Sequence, residues 1–222
     1  LNEAPIIVDD NIDSLVNKVI PVVGKPFDFT FSQVKMVNPI KVELEPFYKI
    51  HDARYEMYWM TLSNSQYRSY IDSLSVLEQQ KADLQKRTID FVAPGEQQPE
   101  VDHAAEKQNT NSGNNLDEFW RDARNEGYFS YKLATNKETS LSLMVRYWGA
   151  ETGNRKFDIY IDNEKLVTEN ISGKWNRKEF RNVEYPIPES MLKGKDYVRV
   201  KFQSLPDNIA GALYYVRIVR NK

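Results

Sequence analysis

Cysteine is absent from the 222-residue sequence, and histidine occurs only twice, as His51 and His103. The lack of cysteine excludes thiol nucleophiles, thiolate metal sites and disulfide bonds. None of the 9 glycines falls in a dinucleotide-binding or phosphate-binding pattern, and there is no Gly-x-Ser-x-Gly nucleophile elbow. We therefore expect no cofactor, no metal ion and no catalytic residue, so that this chain alone is not an enzyme.

The sequence also lacks an excess of charge of one sign and long apolar runs. Its 30 basic and 32 acidic residues are mixed along the chain and give a net charge of −2. A protein that follows a phosphate backbone needs a basic face, so no nucleic-acid partner is expected. No apolar run approaches the roughly 18 residues that cross a bilayer, so no membrane partner is expected either.

Aromatic residues are abundant, with 13 Tyr and 10 Phe, and hydrophobic residues make up 41% of the chain. These types suit pleated surfaces and favour β-structure. In residues 1–62, Phe27, Phe29 and Phe31 alternate with polar residues as in a strand. The run from Tyr55 to Leu62 is apolar on both faces, which is typical of a strand buried on both. Because few strands fit here, we predict a partial β-sandwich that completes a sheet begun upstream and exposes an apolar patch.

A long helix is predicted over residues 63–87. Its apolar stripe, which Lys81 interrupts, consists of Tyr67, Tyr70, Leu74, Leu77 and Leu84. The pattern favours a packing or spacer helix, and a partner-binding coiled coil is the alternative. Residues 90–117 then break the pattern with Pro94, Gly95, Pro99, Gly113 and a polar run from Gln108. This composition predicts a long loop, so that residues 63–117 form a linker of one helix and one loop.

The last stretch, residues 118–222, contains recurring short segments of alternating apolar residues, such as Leu141, Leu143, Val145 and Tyr147. Asp162 and Asn163 separate two such segments and predict a hairpin turn. Regularly spaced short strands indicate an antiparallel β-sandwich of the jelly-roll or galactose-binding-like kind. The predicted fold class is mainly β: this sandwich and the N-terminal partial one, joined by the helix and the loop.

Polar residues near the two histidines form a first candidate site. The cluster consists of His51, Asp52, Arg54, Glu96, Gln97, Asp102 and His103. If the two segments met in space, their imidazoles and carboxylates would suit zinc or calcium. The pattern favours the plainer interpretation, in which polar side chains pin a loop to a sandwich edge, because neighbours along a strand point to opposite faces.

Two tryptophans near predicted loops form a second candidate site. Trp148 lies out of phase with the apolar positions of its strand, and Trp175 is followed by Asn176 and Arg177. Flat rings beside polar groups are what a carbohydrate site needs. The competing interpretation is that each ring packs against its own domain, as most tryptophans do.

Several stretches resemble glycoside hydrolase family 127, the β-L-arabinofuranosidase-like enzymes. The stretch from Leu44 to Trp59, which contains His51-Asp-Ala-Arg-Tyr55, is similar to the segment that closes the sandwich behind the catalytic barrel of that family. Two further stretches, residues 4–8 and 18–26, fit the same region. An extension that some members carry resembles residues 95–103, 120–123 and 127–131. The last strand of the terminal sandwich is similar to residues 211–218.

The resemblance implies an (α/α) barrel upstream in the same polypeptide, with a zinc-held cysteine nucleophile and a glutamate acid/base. No catalytic residue carries over, because the chain has no cysteine. The expected function is that of a non-catalytic C-terminal accessory region of a secreted bacterial glycoside hydrolase, periplasmic or extracellular, that acts on plant-type polysaccharides. The region is expected to pack on the barrel and stabilise it. The alternatives are a carbohydrate-binding module that uses the exposed tryptophans and a free-standing metal-assisted hydrolase.

Overall fold

The computed structural model describes residues 5–37, 39, 41–51 and 59–222, which form two compact units, Leu1–Lys81 and Ala82–Lys222. The elements of the first unit are β1 (Ile6–Val8), a 3-10 helix (Ile12–Lys18), β2 (Val19–Pro21), β3 (Phe29–Phe31), β4 (Met36–Val37), a second 3-10 helix (Phe47–Lys49), β5 (Thr61–Leu62) and most of α1 (Asn64–Arg87). β1 pairs antiparallel with β4 and parallel with β5, and β2 pairs with β3.

The first unit has a small core, with Ile7, Val8 and Val42 as its buried apolar residues among those described. Strands of two or three residues cannot bury much more. Phe27 is 69% exposed and Tyr48 is 66% exposed, so large apolar side chains of this unit face solvent, and the expected patch around the strands that end at Leu62 stays a prediction. The first half of the two-faced strand predicted from Tyr55 to Leu62 lies outside the described residues, and its second half contains β5.

Helix α1 confirms the predicted long helix. A capping box starts it: the Gln66 amide donates to Ser63 Oγ at 3.1 Å, and the Ser63 amide donates to Gln66 Oε1 at 2.9 Å. No residue of the helix is buried. Leu84, near its end, packs against Met144, Tyr215 and Val219.

The second unit is a nine-stranded antiparallel sheet that curls into a sandwich, in agreement with the predicted mainly-β class. Its strands are β6 (Thr88–Val92), β7 (Glu106–Asn115), β8 (Glu118–Ala134), β9 (Leu141–Trp148), β10 (Lys156–Ile161), β11 (Glu164–Asn170), β12 (Phe180–Pro186), β13 (Tyr197–Ser204) and β14 (Ile209–Arg220). Short helices α2 (Gln97–Asp102) and α3 (Glu189–Leu192) join strands. The strand order is β11-β10-β13-β8-β14-β9-β12, with β6 on β14 and β7 on β8.

The prediction of a long loop over residues 90–117 is wrong, because this stretch contains the end of β6, all of α2 and all of β7. β7 pairs with β8 from Glu106 opposite Ser130 to Asn115 opposite Glu118. Its side chains are mostly exposed, and ladder hydrogen bonds use the backbone, so no apolar alternation was present to predict it. The turn between the strands is Leu116-Asp117, both at positive φ (49° and 63°), as a tight hairpin requires.

Alternation along the strands separates an inner from an outer face. Leu141, Leu143, Val145 and Tyr147 of β9 are buried in the central core, so Met144, Arg146 and Trp148 point to the outer face. The predicted turn at Asp162-Asn163 is confirmed, with φ values of 46° and 73° between β10 and β11. None of the helices in the described part of the chain has the length and apolar character of a membrane span.

Candidate functional site

Aromatic rings and guanidinium groups alternate across the outer face of β12, β9, β14 and β6. The Arg146 Cζ lies 4.3 Å from the centre of the Phe180 ring and 5.4 Å from that of Tyr215. On the other side of Tyr215, the Arg217 Cζ lies 4.8 Å from its ring and 4.1 Å from the Phe91 ring. A cation over a ring face is attracted by the ring's electron density, so the row is a continuous cation–π stack.

A carboxylate fixes the orientation of Arg146 in this stack. Arg146 Nε donates to Glu118 Oε2 at 2.8 Å, and Nη2 donates to Glu118 Oε1 at 2.7 Å. Nη1 donates to Asn182 Oδ1 at 3.3 Å. A two-point Arg–carboxylate pair is stronger and more directional than a single contact. The guanidinium plane is therefore held in one place on the sheet.

A cavity of about 250 Å³ opens beside this pair. It is lined by Phe91, Ala93, Glu96, Asp117, Glu118, Phe119, Arg146, Tyr214 and Tyr215. Phe91 and Phe119 remain 38% and 46% exposed and present their rings to solvent. The lining residues come from β6 and the segment after it, the start of α2, the β7–β8 turn, the start of β8, β9 and β14, so the cavity exists only in the folded sheet.

Three carboxylates and one guanidinium line the cavity, and only one of the carboxylates is paired. Glu118 is paired with Arg146, whereas the side chains of Glu96 and Asp117 have no hydrogen bond or ion pair within the described residues. Burial raises the pKa of Tyr214 and of Tyr215, so both phenols stay neutral at physiological pH. The cavity therefore offers two acceptor groups without partners, one fixed ion pair and two exposed rings.

Helix α2, which carries Glu96 at its start, is tied to the sheet by a buried glutamate. Glu100 is 2% exposed and accepts from the Gly95 amide at 2.9 Å, from Tyr131 Oη at 2.9 Å and from Lys107 Nζ at 3.0 Å. Arg121 donates to both of its carboxylate oxygens. Burial by itself would raise the pKa of Glu100, but the bonds from Arg121, Gly95 and Lys107 outweigh it and lower the pKa to about 2. This network positions the rim of the cavity.

The residues of the predicted polar cluster belong partly to the first unit, partly to the second, and partly to the stretch outside the described residues. His51 is exposed in the first unit, and Asp52 and Arg54 lie outside the described residues. Glu96 lines the cavity, Gln97 is exposed, and Asp102 accepts from Gln98 Nε2 at 2.7 Å. Among the residues the structure describes, no group of three or more His, Asp or Glu side chains is placed to hold a metal ion.

His103 pairs with Asp90 and not with its neighbour Asp102. Its Nε2 lies 3.1 Å from Asp90 Oδ1, and its Nδ1 donates to the Pro99 carbonyl at 2.6 Å. Asp90 also accepts from the amides of Phe91 and Ala134, at 2.8 and 2.6 Å. Sequence reasoning missed Asp90, since it sits in β6, within the stretch predicted as a loop. The arrangement pins the end of α2 to the sheet.

The two candidate tryptophans lie on opposite faces of β9. Trp148 points outward and meets the Phe180 ring edge-on at 5.2 Å. Trp175 packs on the central core, with its ring stacked 6.0 Å from the buried Tyr147. Asn176 and Arg177 are exposed in the turn that follows it. The two rings therefore do not form one platform. Phe91 and Phe119 were missed because one lay in the predicted loop and the other next to it.

The fold and the cavity define a β-sandwich module with a small aromatic and acidic site on one outer sheet face. Residues 83–219, more than half of the chain, match the model of a family of unknown function (DUF6805), and the chain belongs to that family. Residues 1–61 match a second model, described as a domain of unknown function (DUF4986). No curated protein gives a significant match.

Solved structures with a similar chain path include modules attached to polysaccharide-degrading enzymes. A family 35 carbohydrate binding module from Clostridium thermocellum is 13% identical, with 53% of this chain and 92% of that one covered and a TM-score of 0.41. The CBM36-1 domain of a xylanase from the hindgut metagenome of Trinervitermes trinervoides is 17% identical, with 60% and 97% covered and a TM-score of 0.42. The C-terminal CBM6 of LamC from Zobellia galactanivorans is 10% identical, with 59% and 98% covered and a TM-score of 0.41. Likenesses with TM-scores this low define no ligand for this chain.

Proposed function

We propose that the second unit, residues 82–222, is a non-catalytic carbohydrate-binding module and that the cavity beside Arg146 is its site. The observation that carries the proposal is that two exposed rings, Phe91 and Phe119, line the same cavity as the fixed Glu118–Arg146 pair. Binding sites combine apolar ring surface with a few well-placed polar groups that fix orientation. A sugar ring presents this combination, with C–H groups on its faces and hydroxyls at its edge.

The size of the cavity agrees with one sugar unit. Its volume of about 250 Å³ lies just below the roughly 300–1,000 Å³ of pockets for drug-sized ligands. Sugar hydroxyls can donate to the carboxylates of Glu96 and Asp117 and can both donate to and accept from the Glu118–Arg146 pair. An extended polysaccharide would place one residue here and leave the rest of its chain on the surface.

The charged groups argue against hydrolysis at this site. Glycoside hydrolysis uses a carboxylic acid of raised pKa opposite a second carboxylate. Burial raises the pKa of Glu151, but Glu151 pairs with Arg155 at 2.8 Å and does not line the cavity. Glu118, which does line it, is engaged in both hydrogen bonds to Arg146. The arrangement suits recognition and not proton transfer.

A glycan-binding assay on the purified chain tests the proposal. We expect binding to at least one of arabinan, arabinogalactan and pectic fragments, measured by calorimetry, and a loss of about tenfold or more in affinity for Phe119→Ala. Tyr197→Ala is the matched control, because Tyr197 is an exposed ring on β13 outside the cavity. A Trp148→Ala, Trp175→Ala double variant tests the other candidate residues. No binding to any glycan, or binding that Phe119→Ala leaves intact, would contradict the proposed site.

The second proposal concerns the first unit, which we propose docks on a folded catalytic domain of the same polypeptide, the barrel that the sequence resemblance implies. The support is an apolar cavity of about 440 Å³ lined by Phe27, Phe29, Leu44, Glu45, Pro46 and Tyr48. Exposed contiguous apolar surface of this kind marks interaction sites. In this role the chain is an accessory region of a secreted, periplasmic or extracellular, glycoside hydrolase.

Co-expression as two polypeptides tests the docking proposal. The chain and the barrel of a family 127 enzyme carrying this region are expected to co-purify, and Phe27→Ser with Tyr48→Ser is expected to separate them. Val23→Ser is the matched control, since Val23 is exposed but does not line the cavity. Failure to co-purify, or equal loss with the control, would contradict docking through this cavity.

A further inference from the structure

We infer that the cavity beside Arg146 selects neutral sugars and rejects sugars that carry a carboxylate; this inference rests on the proposed carbohydrate-binding function. Among its lining residues, the cavity has Glu96, Asp117 and Glu118 as acids and Arg146 as its cation. The acidic side chains outnumber the basic one. The sign of the electrostatic field that a ligand meets in the cavity depends on which of these charges is already paired.

The charge of Arg146 is already paired with Glu118, and three of its five N–H donors have acceptors. Its Nε and Nη2 both donate to Glu118, and its Nη1 donates to Asn182. Its guanidinium carbon also lies 4.3 Å from the centre of the Phe180 ring and 5.4 Å from that of the Tyr215 ring. Arg217, the next cation on this face, lies between the Tyr215 and Phe91 rings and donates to Thr88 Oγ1 at 3.3 Å. The cation that lines the cavity is therefore already neutralised, and Arg217 does not line it.

Glu96 and Asp117 remain as charges without a partner in the described residues. An ionised carboxylate is only an acceptor, so its ligand must donate. A sugar hydroxyl donates, whereas a uronate carboxylate brings a second acceptor and a like charge, which repel. The same position that stabilises a neutral sugar therefore destabilises its oxidised counterpart.

A matched ligand pair tests this selectivity: the neutral oligosaccharide identified in the glycan assay, and the same oligosaccharide with its terminal primary alcohol oxidised to a carboxylate. We expect the oxidised ligand to bind at least about tenfold more weakly at low salt, with a smaller difference at high salt. Glu96→Gln with Asp117→Asn is expected to narrow the difference, and Glu164→Gln, an exposed residue on β11, is expected to leave it unchanged.

The Glu118→Gln variant tests the selectivity for neutral sugars independently. Loss of the paired carboxylate charge leaves the Arg146 guanidinium unneutralised, so the oxidised ligand should gain affinity relative to the neutral one. Equal or tighter binding of the oxidised ligand by the unmodified chain, or a difference that none of these variants changes, overturns the inference. Binding of neither ligand would instead contradict the proposed function itself.

Discussion

Glu118, the first residue of β8, accepts two hydrogen bonds from Arg146 of β9, at 2.8 and 2.7 Å. The strands are not neighbours in the sheet, because β14 lies between them. The pair therefore spans a strand and fixes the guanidinium on which the Phe180 and Tyr215 rings rest. This contact joins the stability of the outer sheet face to the shape of the candidate binding site.

Removal of the Glu118 carboxylate should destabilise the second unit. Glu118→Ala leaves the half-buried Arg146 without its main acceptor, with an expected cost of about 1–3 kcal/mol in the free energy of unfolding. Urea unfolding followed by fluorescence measures it. Glu138→Ala is the matched control: it removes a two-point pair with the more exposed Arg220 and should cost less. Equal losses would show that the Glu118 pair has no special role.

Acid should destabilise the fold through Glu100. Its pKa is lowered from 4.5 to about 2 in the folded state, so its contribution to stability is complete above pH 4.5 and is lost as the pH falls toward 2. A difference of this size corresponds to about 3 kcal/mol. Urea unfolding at several pH values should show this loss, and Glu100→Gln should be less stable at neutral pH with a flatter acid limb. An unchanged acid limb in Glu100→Gln would assign the acid sensitivity to other groups.

The partner of His103 can be tested by a pair of aspartate substitutions. Asp90→Ala removes the acceptor of His103 and of two backbone amides, and an expected loss of about 1–3 kcal/mol follows from the unsatisfied donors. Asp102→Ala, adjacent to His103 in sequence but exposed, should change stability by no more than about 0.5 kcal/mol. The reverse order of effects would contradict the Asp90–His103 pairing. The free energy of unfolding of both variants, measured by thermal or urea unfolding, tests this pairing.

The two tryptophans should differ in what they contribute to stability. Trp175→Ala removes a ring that stacks on buried Tyr147 and packs on the central core. We therefore expect the free energy of unfolding to fall by about 3 kcal/mol. Trp148→Ala removes an edge-on contact with Phe180 on the outer face and should cost less. Arg177→Ala, exposed in the same turn as Trp175, controls for local disturbance. A smaller loss for Trp175→Ala than for Trp148→Ala would contradict the packing seen here.

Part of the fold could be predicted because alternation of side chains records burial. β9 and β10 have apolar residues at every second position, and their side chains fill one core, so pattern and structure agree. The helix was predicted for the same reason, and its Ser63–Gln66 capping box is visible in the sequence. β7 could not be predicted in this way, because an edge strand with exposed Asn and Gln side chains is held by backbone hydrogen bonds that any residue makes.

The candidate site, like the fold, could be predicted only in part from the sequence. The sequence pointed to Glu96, but as part of a histidine cluster, and to Trp148 and Trp175, which lie on opposite faces of β9. Phe91, Phe119 and Arg146 line the cavity that we propose as the site, and each is unremarkable in its own segment. They meet because β6 and β8 pair with one side of β14, and β9 pairs with its other side.

The sequence by itself determined the mainly-β class, the long helix and the lack of cysteine chemistry, because composition and periodicity act locally along the chain. Only the tertiary structure decided which charges are paired and which remain available to a ligand. Arg146 is neutralised by a residue 28 positions away, and His103 contacts a carboxylate 13 positions away, whereas Glu96 and Asp117 stay without partners in the described residues. Electrostatic pairing depends on distance in space, and the folding of the sheet sets that distance.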